Sequence, residues 1–303
     1  MALKQVKNKI ISTKKTGQVT KAMESVSAVK MRKSQERAFA GRPYAHAALR
    51  ILSQLAGSQD GLNHPLAKSR AGDKRLLVIV TSDKGLAGSV NSAVLKKVEE
   101  ALATADVSSY EAICVGRKAV DFCKRNNVPV IHEYTNVRDD VVIDDVTDIT
   151  KAALEGFASG DYNHVHVIYQ NFLSTFEQEP TKRQLLPLDP AEVHYIMRGI
   201  KPKTGEFSDF VAEPTEKTVY TVEPNPEQVL DTLIPQLVEI IIYHALLESK
   251  ASEHSARMVA MKNATDKSKE VVKALTIEYN KARQAAITAE VSEITAGVEA
   301  MNT

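Results

Sequence analysis

Apolar positions along this 303-residue chain follow different periods in its ends and its middle. Near the start, Leu3, Val6, Ile10, Thr13, Gly17 and Thr20 recur at alternating steps of three and four, and Met23 and Val26 carry the stripe on after a small shift. An α-helix brings such positions onto one narrow face, so the pattern predicts a helix with a seam for one close partner helix. The helix reading extends over residues 1–56, with Gly41 and Pro43 kinking or ending its first straight piece. Residues 57–74 are polar, contain three glycines and read as a linker.

Over residues 75–196 the period changes. RLLVIVT at 75–81 is a continuous apolar run, as in a strand buried on both faces. Further strands are predicted at 111–116, 128–134 and 164–172, with helices at 89–103, 118–126 and 146–158 between them. RQLLPL and VHYIM add edge segments, because Pro187 argues against a central position. Alternating strands and helices predict a Rossmann-like α/β domain with a mostly parallel sheet. Residues 197–225 form a second polar, proline-containing linker.

Residues 226–303 close the chain with a heptad pattern. One seam position runs Leu230, Leu237, His244, Ala251, Met258, Thr265, Val272, Tyr279, Ala286; its partner runs Leu233, Ile240, Leu247, His254, Met261, Ser268, Leu275, Ala282, Ala289. The helix would be about 110 Å long at 1.5 Å per residue, so it projects and needs a partner. The predicted fold class is α/β: a long antiparallel coiled coil of the N- and C-terminal helices plus the central domain. His244, His254, Thr265 and Ser268 make the seam less stable than an apolar one.

Charge sharpens this picture. Residues 1–50 carry twelve Lys or Arg and two acids, or +10; residues 226–303 carry eight basic and eleven acidic residues, or −3. A basic helix at one end suits a mildly acidic helix or a separate acidic partner. Its bases lie all round, and only Phe39 and Tyr44 are interleaved, which argues against nucleic acid. Hydrophobic content of 43% and charged content of 25% place the chain among soluble globular proteins. No apolar run reaches the ~18 residues of a membrane span, and MALKQVKNKI is not a secretory signal.

Candidate chemistry is sparse. TSDKGLAGSVN at 81–91 follows a strand and precedes a helix, where backbone N–H groups can hold an anion. It lacks the Gly-Lys-Ser/Thr ending of a P-loop, and Gly85-Leu-Ala-Gly88 is not a dinucleotide fingerprint, so a structural turn is the expectation. His164 and His166 share a strand face without an evident third ligand. Cys114 and Cys123 fit no metal or redox spacing and read as two thiols. No catalytic residue, cofactor or metal is expected. The enzyme alternative is a nucleotide-binding domain using residues 82–91; a generic coiled-coil scaffold is the third reading.

Three stretches then read together: VTKAMESVSAVKMRKSQER at 19–37, TSDKGLAGSVN at 81–91, and ASEHSARMVAMKNATDKS with YNKARQAAITAEVSEITAG within 248–300. In order and spacing they resemble the gamma subunits of F-type ATP synthases. The resemblance implies a non-catalytic rotor shaft that couples rotation of the membrane ring of c subunits to conformational changes in the catalytic beta subunits. The implied partners are the alpha and beta subunits, epsilon and the c-ring, with membrane association only through that complex. By motif, Lys21, Met23 and Arg257 fall where the family's shaft meets acidic lever loops of beta. Gln284, Thr288 and Glu290 fall at an upper catch with the head. The start of the chain favours a bacterial protein on the cytoplasmic face of the plasma (inner) membrane.

Overall fold

The computed structural model describes residues 3–40, 47–48, 51–52, 64–189 and 225–301. Its elements are helix α1 (Leu3–Ala40), strand β1 (Arg75–Val80), helix α2 (Val90–Leu102), strand β2 (Tyr110–Val115) and helix α3 (Arg117–Arg125). Strand β3 (Val130–Tyr134), helix α4 (Asp144–Ser159), strands β4 (His164–Phe172) and β5 (Gln178–Leu186), and helix α5 (Pro226–Met301) follow. Of the expected continuation of the first helix past residue 40 only residues 47–48 and 51–52 are described, as helix, and the VHYIM edge segment and most of the 197–225 linker lie outside the described residues. Internal contacts divide the chain into two units, Met1–Val26 with Arg257–Thr303, and Ser27–Ala256, and the division falls inside both long helices.

The Ser27–Ala256 unit is built on a five-stranded sheet of order β3-β2-β1-β4-β5. The first four strands are parallel and β5 runs antiparallel to β4. The mostly parallel, Rossmann-like sheet is therefore as expected. RQLLPL supplies the end of an edge strand that begins five residues earlier, at Gln178. Strand β1 is central, so both of its faces need apolar side chains. Leu76, Val78 and Val80 join α4, the 230–247 part of α5 and Ala38 of α1 in one core. Leu77 and Ile79 join Val94 and Val98 of α2 and Phe122 of α3 in the other. Helix α4 starts with Asp144 and Asp145 near its positive end and stops at Gly160, whose φ of 88° closes the last turn as few other residues can. Cys114 and Cys123 are buried free thiols with their sulfurs 3.5 Å apart.

Two expectations about the helices fail. Val26 is 54% exposed, and Ser27 beside it is 3% exposed. Seven residues bring a helix back to the same face, so the stripe through Thr20 continues at Ser27 and Ser34 without a shift. Its small polar residues hid it from a hydrophobicity reading. Likewise, His244 and His254 are buried, but not at a two-helix seam. Ala245, Leu246, Leu247, Glu248, Ser249, Ala251, Ser252, Glu253 and Ser255 around them are buried too. Here α5 crosses the domain and is enclosed on every side. By length and composition α5 is apolar enough to cross a membrane, yet 61% of its apolar 18-residue window is buried inside the fold.

Candidate functional site

Within the unit formed by Met1–Val26 and Arg257–Thr303, α1 and α5 form an antiparallel pair. Thr20 Oγ1 and Thr265 Oγ1 share a hydrogen bond of 2.7 Å. A Cβ placed on Gly17 would meet Ser268 Cβ at 3.3 Å, so the missing side chain is what lets the backbones approach. Both pairs of residue numbers sum to the same value, the mark of antiparallel register. Carried on, that register sets Thr13 against Val272, Ile10 against Leu275, Val6 against Tyr279 and Leu3 against Ala282. These are the positions shielded from solvent in each helix. The seam expected over 261–282 is therefore present, with hydroxyls in its middle.

A groove of about 640 Å³ runs along this seam. Thr13, Gly17, Thr265 and Ser268 lie along it, and Lys14, Lys21 and Lys269 bring three positive charges. Lys21 pairs with Glu24 at 3.0 Å and Lys269 with Asp266 at 2.9 Å, both exposed contacts. Such pairs contribute only ~0–1 kcal/mol and leave the lysines free to exchange partners.

From Arg283 onward every described side chain is exposed. In this register no described residue of α1 lies opposite these positions. Yet Ile287, Val291, Ile294, Val298 and Met301 repeat at steps of four and three, each at least 51% exposed. This is a second apolar stripe, out of phase with the seam, and the heptad frame of the sequence reading did not contain it. Testing the other helical phases for branched apolar residues would have found it.

The six candidate contact residues are not gathered in one place. Lys21 lines the groove and Met23 is half-buried beside the seam. Arg257 is buried and already engaged. Gln284, Thr288 and Glu290 are exposed toward the end of α5, where Thr288 Oγ1 donates to the Gln284 carbonyl at 3.0 Å.

The loop at 81–91 satisfies its own polar groups. Ser82 N donates to Asn91 Oδ1 at 3.0 Å, Asn91 Nδ2 to Ser82 Oγ at 2.8 Å, and Ser82 Oγ to the Lys84 carbonyl at 2.7 Å. Asp83 Oδ1 accepts Arg117 N, so the start of α3 is capped by the chain itself. Thr81 packs so closely on Gly116 that a Cβ there would lie 2.3 Å from the Thr81 carbonyl. In doubly wound folds ligands enter where strand order reverses, here between β1 and β4. That crevice is occupied by α5: on the β4 side Ser252 Oγ donates to the Gln170 carbonyl at 3.2 Å and Ser255 Oγ to the Thr175 carbonyl at 2.5 Å, and in the loop after β1 a Cβ on Gly88 would lie 3.9 Å from Ala256 Cβ. His164 and His166 do share a face, 6.1 Å apart. Burial, and then the cations Lys182 and Arg75, hold the His166 imidazole down to about 3, surroundings that repel a metal cation.

A long antiparallel helix pair, together with an α/β domain whose ligand crevice is closed by its own chain, defines a helical-stalk protein. A family model described as ATP synthase matches residues 2–301. The chain belongs to the gamma-subunit family of ATP synthases, the family of their central-stalk rotor subunit. A chain from a structure of the Tetrahymena thermophila mitochondrial ATP synthase central stalk and c-ring is 26% identical, with a TM-score of 0.57, covering 81% of this chain and 99% of its own. Two chains from the Euglena gracilis mitochondrial ATP synthase are each 17% identical. One, from a structure of OSCP, F1 and c-ring, has a TM-score of 0.65 over 99% of this chain and 94% of its own. The other, from a structure of the rotor, has 0.61 over 94% and 98%. At that identity they speak for the fold.

Proposed function

We propose that this chain is the central rotor shaft of a proton-translocating F-type ATP synthase, making no bonds itself. It passes rotation of the membrane c-ring to the three catalytic beta subunits, and its partners are alpha, beta, epsilon and the c-ring. The observation that carries this reading is the end of α5, exposed among the described residues. A bare helix with an apolar stripe, Ile287 to Met301, suits an apolar sleeve supplied by a surrounding head. Lower down, the lysine-rimmed groove suits acidic lever loops on beta, with contacts weak enough to be made and broken at every step. Lys21, Met23 and Arg257 are proposed for that lower contact, and Gln284, Thr288 and Glu290 for the upper catch. The functional segments are those of the sequence reading, 1–56, 57–74, 75–196, 197–225 and 226–303. The protein is held at the membrane through the complex, on the cytoplasmic face of a bacterial plasma membrane. Fractionation that found it elsewhere would remove that last assignment.

The filled crevice speaks against a nucleotide-binding enzyme. Affinity purification from membranes decides between shaft and scaffold. The expected result is recovery with alpha, beta and epsilon in fixed proportion; recovery without them sinks the shaft reading. Micromolar binding of ATP or NAD by the isolated chain, lost on altering the 81–91 loop, would favour the enzyme instead.

A further inference from the structure

Within the Ser27–Ala256 unit a single carboxylate holds two helices at once. Asp139 lies between β3 and α4. Its Oδ2 accepts from Lys30 Nζ of α1 at 2.5 Å, and its Oδ1 meets His254 Nε2 of α5 at 3.0 Å. Lys250 Nζ, one turn before His254, is 3.9 Å from the same Oδ1 and donates to the Val137 carbonyl at 3.0 Å. The side chains of Lys250 and His254 are 11% and 3% exposed. On α5, Ser252 and Ser255 grip the carbonyls of Gln170 and Thr175 in the same stretch.

This stretch of α5 is buried yet polar, and that has a mechanical consequence. Apolar packing is non-directional and tolerates a helix rolling about its axis. Charge-assisted hydrogen bonds do not tolerate it, because they weaken steeply when misaligned. One residue of roll turns a helix by about 100° and would carry Lys250 and His254 together away from Asp139. The His254 hydrogen bond most of all, and then Lys30 and Lys250, hold the Asp139 carboxyl well below the ordinary carboxylate range.

We propose that Asp139 is a positioning residue of the rotor, fixing the angular setting of α1 and α5 against the α/β domain so that turning the domain turns both helices without slip. This rests on the shaft reading. The test uses the complete ATP synthase reconstituted into vesicles with the wild-type chain, Asp139→Asn or Asp139→Glu, reading ATP hydrolysis and ATP-driven proton pumping separately. Asp139→Asn is expected to keep hydrolysis and lose pumping per ATP, and Asp139→Glu to restore it. Wild-type pumping by Asp139→Asn overturns the proposal, as does a failure of Asp139→Glu to restore coupling. If Asp139→Asn does not assemble, Asp139→Glu decides alone, by pumping like the wild type or not.

A second measurement separates this proposal from the shaft reading. Spin labels are placed on the full chain at exposed Val29 of α1 and exposed Asp148 of α4. Their distance distribution should broaden in Asp139→Asn while the helix content stays constant. A wild-type chain that restores no pumping removes the shaft reading; an unbroadened distribution removes the role of Asp139 whatever the pumping shows.

Discussion

At the scale of residues, the informative side chains are polar ones in places meant for apolar ones. His166 is the clearest titrating case. Held at about 3 when folded, against ~6.5 in an unfolded chain, it refuses a proton that the unfolded chain accepts. Its folded value is depressed and its neutral form is the stable one, so stability falls as pH drops from about 6.5 toward 3, by at most a few kcal/mol. His166→Asn should therefore lose less stability than the wild type between about pH 7 and about pH 5, read from urea midpoints; equal losses would show that His166 does not set the acid sensitivity. Thr20 is the second case. Its hydroxyl joins the two helices, while Thr265 Oγ1 also keeps the Met261 carbonyl at 2.8 Å. Thr20→Val should cost about 1 kcal/mol in urea unfolding, one modest hydrogen bond without a stranded partner. Neither role was legible in the sequence. A threonine at a helical seam position shows its spacing but not the hydroxyl facing it from a residue 245 positions away.

Among elements, periodicity located the four parallel strands and the helices between them within a few residues, because central β1 is buried on both faces and apolar along its buried positions, whereas β5 begins five residues before the expected edge segment. The long helices were harder. Helix α5 has one seam over 261–282, is enclosed on all sides over 244–255, and presents an exposed stripe beyond Ala282. A single heptad frame drawn through all three regimes describes only the first. The last turns of α5 are exposed among the described residues, and a helix end held by few contacts is readily dispensable. Removing the residues after Gly297 should leave assembly and ATP hydrolysis of the complex intact; loss of assembly would mean that Val298 and Met301 are firmly held in the head.

For the molecule as a whole, part of the charge of +10 in residues 1–50 gathers in the groove where Lys14 and Lys21 of α1 meet Lys269 of α5. Met23 stands half-buried beside it. Met23→Lys adds a charge there, strengthening the contact with an acidic lever at one angle and holding the shaft back at that angle. Proton pumping per ATP hydrolysed should fall in the assembled enzyme; normal pumping would refute the placement of Met23. The sequence by itself determined the two long helices, the alternating strands and helices between them, and the family, because period and motif are local properties of a chain. Only the tertiary structure decided that Ser27 rather than Val26 is buried, that α5 fills the crevice between β1 and β4, and that Asp139 grips both helices. Those outcomes depend on which surfaces meet across more than a hundred residues, and hydroxyls, histidines and carboxylates carry no hydrophobic period to announce where they will be buried.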